Sequence, residues 1–355
     1  MKCIYCQKDS KLSERSGGRC PGCNKAFAFE PTAGSKHTDM AFKNAIDAVS
    51  SRGAVRFLPE HVRYELARRS RRKTLASVTL FAIAGLTLLL AVWIHPAIGI
   101  LTLIFGGIGA MAWPSSQLPN EEGTFRAEWS KWCATHGNPP GLIVRKTEQK
   151  APVKATRPAD IQHYSFDRAV ICDREETVDM LLANNFHFEN NCAILAWKGY
   201  PPRAFETVKA MLQSNPRLTV YVLHDATQEG CLLAIELASS PAWFRGRARV
   251  VEVGIRPAHA RSLKGLWIPG GPPIAVGAGL TKAEAAWLSV HALELFAVRP
   301  EQVIKRLYRA ICTDVDKLSQ ASDFVVVDQQ ANFWVDGASF STDATSSDGG
   351  DDSFG

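Results

Sequence analysis

Thr219-Val220-Tyr221-Val222-Leu223-His224-Asp225-Ala226-Thr227-Gln228-Glu229-Gly230 is the stretch on which the fold turns. Five residues suited to a pleated, buried strand run into a short polar joint, and from Glu229 to Ala238 the apolar residues take helical spacing. Outward from this unit, Ala169–Cys172, Cys192–Leu195 and Val250–Val253 read as further strands, with helices at Glu175–Asn184 and Ala204–Gln213 between them. Strand and helix in alternation predict a mostly parallel sheet with helices on its faces, a Rossmann-like α/β domain placed at residues 161–330. Helices at 281–291 and 300–314 and a strand at 324–327 complete it. Ligands of such sheets collect at the carboxyl ends of the strands. Two carboxylates fall there, Asp173 after the first strand and Asp225 after the third.

The arrangement resembles the Toprim domain of topoisomerases, primases and overcoming-lysogenization-type nucleases. In that family a first strand ends in Glu and a later strand ends in Asp-x-Asp followed closely by Gly, the acids holding Mg²⁺ for phosphoryl transfer. The resemblance implies that Asp173 takes the place of the Glu, Asp225 that of the first Asp, and Gly230 lies near the family's Gly. Asp173 is one carbon shorter than Glu and Thr227 stands at the second Asp position, so Mg²⁺ would be held weakly unless Glu229 substitutes. Val253-Gly254-Ile255-Arg256-Pro257 is similar to the segment that follows these acids in the A subunits of type VI topoisomerases. Val55 to Leu66 is similar to their winged-helix segment, and that likeness implies Tyr64 as the nucleophile. Read from the pattern alone, Tyr64 packs on the inner face of a helix, and Asp173 and Asp225 cap helices of a generic sheet.

Cys3-Ile4-Tyr5-Cys6 and Cys20-Pro21-Gly22-Cys23 are two Cys-x-x-Cys knuckles 13 residues apart. Two such turns supply the four thiolates of a tetrahedral shell, which suits structural Zn²⁺. The spacing resembles the zinc-ribbon class over residues 1–30. A module this small needs the metal for its stability. The other five cysteines are scattered among apolar neighbours, a set that fits a reducing compartment better than a disulfide framework, and no apolar signal segment precedes the first knuckle. Cys133-x-x-His136 has half of a metal spacing and no second half nearby. His187, in the Asn-rich Phe186–Asn191, reads as part of a turn. No Gly-rich phosphate loop occurs, since Trp267–Pro273 has the wrong spacing.

Across 355 residues, 46% hydrophobic and 21% charged content excludes a wholly disordered, collagen-like or polytopic membrane chain. The net charge of +6 is uneven: residues 1–74 hold 16 Lys/Arg against 7 Asp/Glu. Much of that excess lies in basic helices at 38–73, next to two uncharged runs, 75–94 and 97–113. The runs predict a transmembrane helical hairpin, with the Arg/Lys cluster fixing both termini on the cytoplasmic side of an inner membrane and the lipid bilayer as one partner. A proline-punctuated linker at 114–160, carrying one short helix near Thr124–Thr135, and a disordered acidic tail at 336–355 complete the organisation. Two functions are consistent with these residues. One is a membrane-anchored zinc-ribbon protein whose α/β domain binds a nucleic-acid or protein partner without catalysis. The other is a Mg²⁺-dependent nuclease or strand-transferring enzyme using Asp173, Asp225 and Glu229.

Overall fold

Val170, Ile171, Val220, Val222 and Val250 are branched side chains on strands covered on both faces, the setting in which parallel sheets form. They belong to a computed structural model that describes residues 1–29, 37–71, 122–145, 166–215, 217–244, 248–272, 279–317 and 326–327. The chain divides into two units, the first mainly Met1–Thr147 and the second mainly Glu148–Leu263, Gly270–Val298 and Gln302–Gly355.

The second unit is built on β1 (Arg168–Cys172), β2 (Cys192–Ala196), β3 (Thr219–Leu223), β4 (Arg249–Glu252) and β5 (Val326–Val327). All pairs are parallel, in the order β2-β1-β3-β4-β5. Ile171 on β1 lies opposite Leu195 on β2 and Val222 on β3, so the central strands present one continuous apolar layer. Helices Glu175–Ala183, Phe205–Ser214 and Gln228–Ser239 connect the strands. Phe205, Leu212, Leu233 and Leu237 from two of these helices join the sheet's buried cluster with Trp243 and Phe244. The order reverses direction between β1 and β3, and in open α/β sheets that point is where a crevice opens at the carboxyl ends. Asp173 and Asp225 follow those two strands.

Among its described residues the first unit holds the cysteine knuckles and the helices α1 (Asp39–Val49), α2 (59–71) and α3 (Glu122–His136). Thr38 caps α1, its hydroxyl oxygen accepting the Ala41 N–H at 3.2 Å. Phe42 sits at the centre, 5.0 Å from the Trp132 ring and 5.1 Å from that of Phe29. Phe57, Val62, Leu66 and Phe125 close the core around it. Asp39 is fully buried yet well satisfied: its carboxylate accepts the Ala28 and Phe29 N–H groups at 2.9 Å each and faces His136 Nε2 at 2.7 Å. Residues 122–136, which proline punctuation placed in a connector, thus supply Phe125 and Trp132 to this core. The pairing of Phe57 with 141–143 ties the segment down further, the Phe57 N–H donating to Gly141 O at 3.0 Å and the Ile143 N–H to Phe57 O at 2.9 Å.

The sequence-based fold class requires a correction. Among the described residues no helix is long and apolar enough to cross a membrane. The longest of these, Pro300–Lys317, alternates Val303, Leu307 and Ile311 with Lys305 and Arg309, an amphipathic pattern rather than an apolar one. The transmembrane hairpin and the inner-membrane location are therefore not retained, and the runs 75–94 and 97–113 that suggested them lie outside the described residues. The tail at 336–355 and the linker from 146 to 160 lie outside them too.

Candidate functional site

Two groups of chemically capable side chains stand out, one in each unit. In the first unit, the four sulfurs of Cys3, Cys6, Cys20 and Cys23 all lie within 4.8 Å of one another, the one such cluster of potential metal ligands among the described residues. Cys3 Sγ is 3.6 Å from Cys23 Sγ and Cys6 Sγ is 3.5 Å from Cys20 Sγ. A tetrahedral Zn²⁺ with Zn–S of about 2.3 Å would separate its sulfurs by about 3.8 Å, so the quartet can hold a metal ion such as zinc. No disulfide competes, since all nine cysteines are free.

The knuckles are built twice from one plan. The Cys3 N–H donates to Lys8 O and the Gln7 N–H to Cys3 O; seventeen positions later the Cys20 N–H donates to Lys25 O and the Asn24 N–H to Cys20 O. Gln7 and Asn24 both adopt the left-handed conformation, with φ of 60° and 56°, that closes each turn. The Tyr5 and Gly22 N–H groups each approach a cysteine sulfur at 3.4 Å, Cys3 and Cys20 respectively. The Gly22 N–H holds the Cys20 thiol down at about 6. Cys23 goes the other way, to about 11: the Lys25 N–H favours its thiolate, but burial and the three neighbouring sulfurs outweigh it. Four sulfurs in contact cannot all ionise without a cation among them.

In the second unit, Asp173 and Asp225 do meet at the switch point. The Asp225 N–H donates to Asp173 Oδ2 at 2.8 Å, and Asp225 Oδ1 accepts the Leu295 N–H at 2.7 Å. Burial, with Asp173 close by, pushes the Asp225 carboxyl up to about 8, and burial raises Asp173 as well. The chain answers this with its own cation. Arg174 places Nε 2.5 Å from Asp225 Oδ2 and Nη2 3.0 Å from Glu294 Oε1, with its guanidinium 5.7 Å from the centre of the Phe296 ring. The Ala226–Leu293 backbone bridge brings Glu294 and Leu295 across the carboxyl edge of β3.

Beside this pair lies a second ionic group. His224 is wholly buried, with Nδ1 2.7 Å from Asp225 O and Nε2 2.9 Å from Glu252 Oε1. Both partners are acceptors, so both ring nitrogens donate and the side chain is an imidazolium. Burial opposes that charge, but Cys231 and Glu252 hold the proton on, well above the ordinary histidine range. Arg256 bridges Glu252 at 3.2 Å and Glu284 at 3.1 Å. Gly254 makes room for the ring: a Cβ there would stand 2.3 Å from His224 Cδ2. At Gly230 a Cβ would meet Asp225 O at 2.6 Å and Asp173 Oδ2 at 3.1 Å, which gives that glycine a steric reason.

Glu229 does not join the other two acids; it pairs with Lys198 at 2.6 Å on an exposed surface. Thr227 accepts the Gly230 N–H at 3.0 Å as the cap of helix Gln228–Ser239, so neither Asp173 nor Asp225 caps a helix. Tyr64 is 1% exposed, inside the core side of α2. His136 turns to Asp39, and His187 stands exposed on the four-residue helix Phe186–Glu189. Sequence reasoning missed Arg174, Glu252, Arg256 and Glu294. Glu252 left a signal, a lone charge inside the apolar run Val250–Val253; the Arg174–Glu294 pairing left none, because its members are far apart along the chain. Comparison with known proteins returned nothing: no family model, no curated protein and no solved structure matches this chain.

Proposed function

We propose that this chain is a non-catalytic binding protein, with a structural zinc ribbon in its first unit and an α/β second unit that serves as an interaction scaffold for a nucleic-acid or protein partner. The carrying observation is that Arg174 supplies the positive charge against Asp225 and Glu294 that a divalent cation supplies in a phosphoryl-transfer site. The segment through Leu293–Leu295 further occupies Asp225 through a backbone hydrogen bond. Glu229, the acid that would have to complete a Mg²⁺ shell, is engaged elsewhere. What remains is a closed ionic lattice in which acids and cations alternate. Such a lattice fixes the loops at the carboxyl edge and sets a resident guanidinium against the acids.

Zinc in the ribbon is read as structural because four thiolates fill a tetrahedral shell and leave no site for water or substrate. The experiment uses the full chain. Calorimetric titration with Mg²⁺ and Mn²⁺ to millimolar concentration should give no heat attributable to Asp225, and supercoiled plasmid should remain uncut. Metal-dependent nicking lost in Asp225→Ala would replace this reading with the enzymatic one. Metal analysis should return one zinc per chain, falling to none in Cys20→Ser.

A further inference from the structure

The duplicated knuckle also duplicates a set of charges. Lys2 and Arg19 occupy the same position before each pair of cysteines, and Lys8 and Lys25 the same position after it. All four are exposed. The knuckle hydrogen bonds hold their backbones in matching geometry, since Lys8 O and Lys25 O are the acceptors that close the two turns. Lys2 and Arg19 lie on matching antiparallel bridges, to Asp9 and Ala26. Residues 1–29 carry six basic and two acidic side chains, so they stay net positive even beside a four-thiolate zinc centre of charge −2.

Beside one of these cations, Lys25, stands an aromatic ring. Tyr5 is 50% exposed, and its hydroxyl lies 3.1 Å from His136 Nδ1. His136 Nε2 faces Asp39, and its other nitrogen holds the tyrosine hydroxyl. That chain of contacts fixes the ring while leaving half of it in solvent. The Lys25 ammonium stands 5.8 Å from the ring centre. A held aromatic surface beside an ammonium is what an unstacked base and its phosphate require, and regularly repeated cations suit a regularly repeated phosphate backbone.

We propose that the ribbon face formed by Lys2, Lys8, Arg19, Lys25 and Tyr5 is a docking surface for single-stranded nucleic acid. An acidic peptide would satisfy the cations but would make no use of the ring, and a duplex would keep its bases stacked away from it. This assignment goes beyond the non-catalytic reading and can fail without it, because nicking and strand binding are separate measurements.

The test is fluorescence anisotropy of a labelled single-stranded oligothymidylate with the full chain across a salt series. Lys8→Glu/Lys25→Glu should weaken binding at least about tenfold and flatten the slope of log K against log salt by about 1.4, the value for two lost phosphate contacts on a single strand. Lys2→Glu/Arg19→Glu should behave alike. Tyr5→Ala should weaken binding about tenfold with the slope unchanged. Arg203→Glu/Arg217→Glu, an exposed pair in the second unit, should change affinity less than twofold. Zinc content is measured on each variant, and Lys8→Gln/Lys25→Gln gives the same comparison should charge reversal disturb metal loading. The proposal is overturned by absence of salt-dependent binding, by an equal loss in the second-unit pair, or by equal affinity for duplex DNA, polyglutamate or phosphatidylserine vesicles.

Discussion

At the scale of single residues, Arg174 is the side chain on which the acidic crevice depends. Asp225 is 1% exposed, and removing its cation would leave a buried carboxylate to ionise against Asp173 or take up a proton. Breaking a buried ion pair from one side costs about 3–5 kcal/mol; Arg174 is about one-third exposed, so the lower end of that range applies. Arg174→Met should therefore destabilise the second unit by about 3 kcal/mol. Arg174→Met/Asp225→Asn should recover part of the loss, because the neutral amide needs no counter-charge. Urea-dependent hydrogen exchange of the β1 and β3 amides reads both. A loss below about 0.5 kcal/mol would mean that the pair behaves as a surface contact and that the crevice is open to water.

At the scale of elements, Thr227 shows how one position can be mistaken for a different chemistry. It stands where the Toprim pattern carries an acid, yet its hydroxyl caps helix Gln228–Ser239. Thr227→Ala should cost about 1 kcal/mol, and Thr227→Asp should be close to neutral, since Asp caps as well as Thr. If Thr227→Asp conferred Mg²⁺-dependent nicking, the closed-crevice account would fall; urea midpoints and a plasmid assay run on the same preparations give both answers. The strands were legible in the sequence because each is a short unbroken apolar run, and the helix between β3 and β4 because its apolar residues recur at helical spacing. The metal quartet was legible because Cys-x-x-Cys places two ligands within one turn. What could not be read was long-range pairing: Arg174 with Glu294, His224 with Glu252, His136 with Asp39. Such partners share no spacing rule. The doubling of the knuckle leaves only a faint repeat in the sequence for a related reason, since it resides in backbone bonds and cation positions around otherwise dissimilar residues. The apolar runs at 75–94 and 97–113 are the strongest pattern in the first 120 residues, whereas Phe125 and Trp132, which the core of the first unit uses, stand in a mostly polar helix.

At the scale of the whole chain, the two units store titratable groups of opposite character, and acid should therefore act on them in opposite directions. In the first unit His61 is buried with its Nδ1 accepting the Leu58 N–H, and burial depresses it to about 3. A depressed folded value means that its contribution is full above the unfolded value of about 6.5 and is lost as pH falls toward 3. In the second unit Asp225 is raised to about 8, so its contribution is full below the unfolded value of about 3.9 and is lost as pH rises toward 8. His224, also raised, reinforces Asp225 only above about 6.5, and Glu252, which is lowered, matters only below about 4.3. Between about pH 4.5 and 6.5 the first unit thus responds mainly through His61, and the second through Asp225 together with Asp173, which burial also raises. Acidification across that window should weaken the first unit, with a slope approaching about 1.4 kcal/mol per pH unit at most, and strengthen the second, with a slope of up to about twice that. Pulse proteolysis over a urea series, with fragments assigned to each unit by mass spectrometry, measures the two midpoints separately. His61→Gln should flatten the first slope, leaving only proton competition at the cysteine quartet, and Asp225→Asn should flatten the second. Midpoints that moved together with pH, or an Asp225→Asn slope equal to that of the parent chain, would show that Asp225 does not govern the second unit's response to acid.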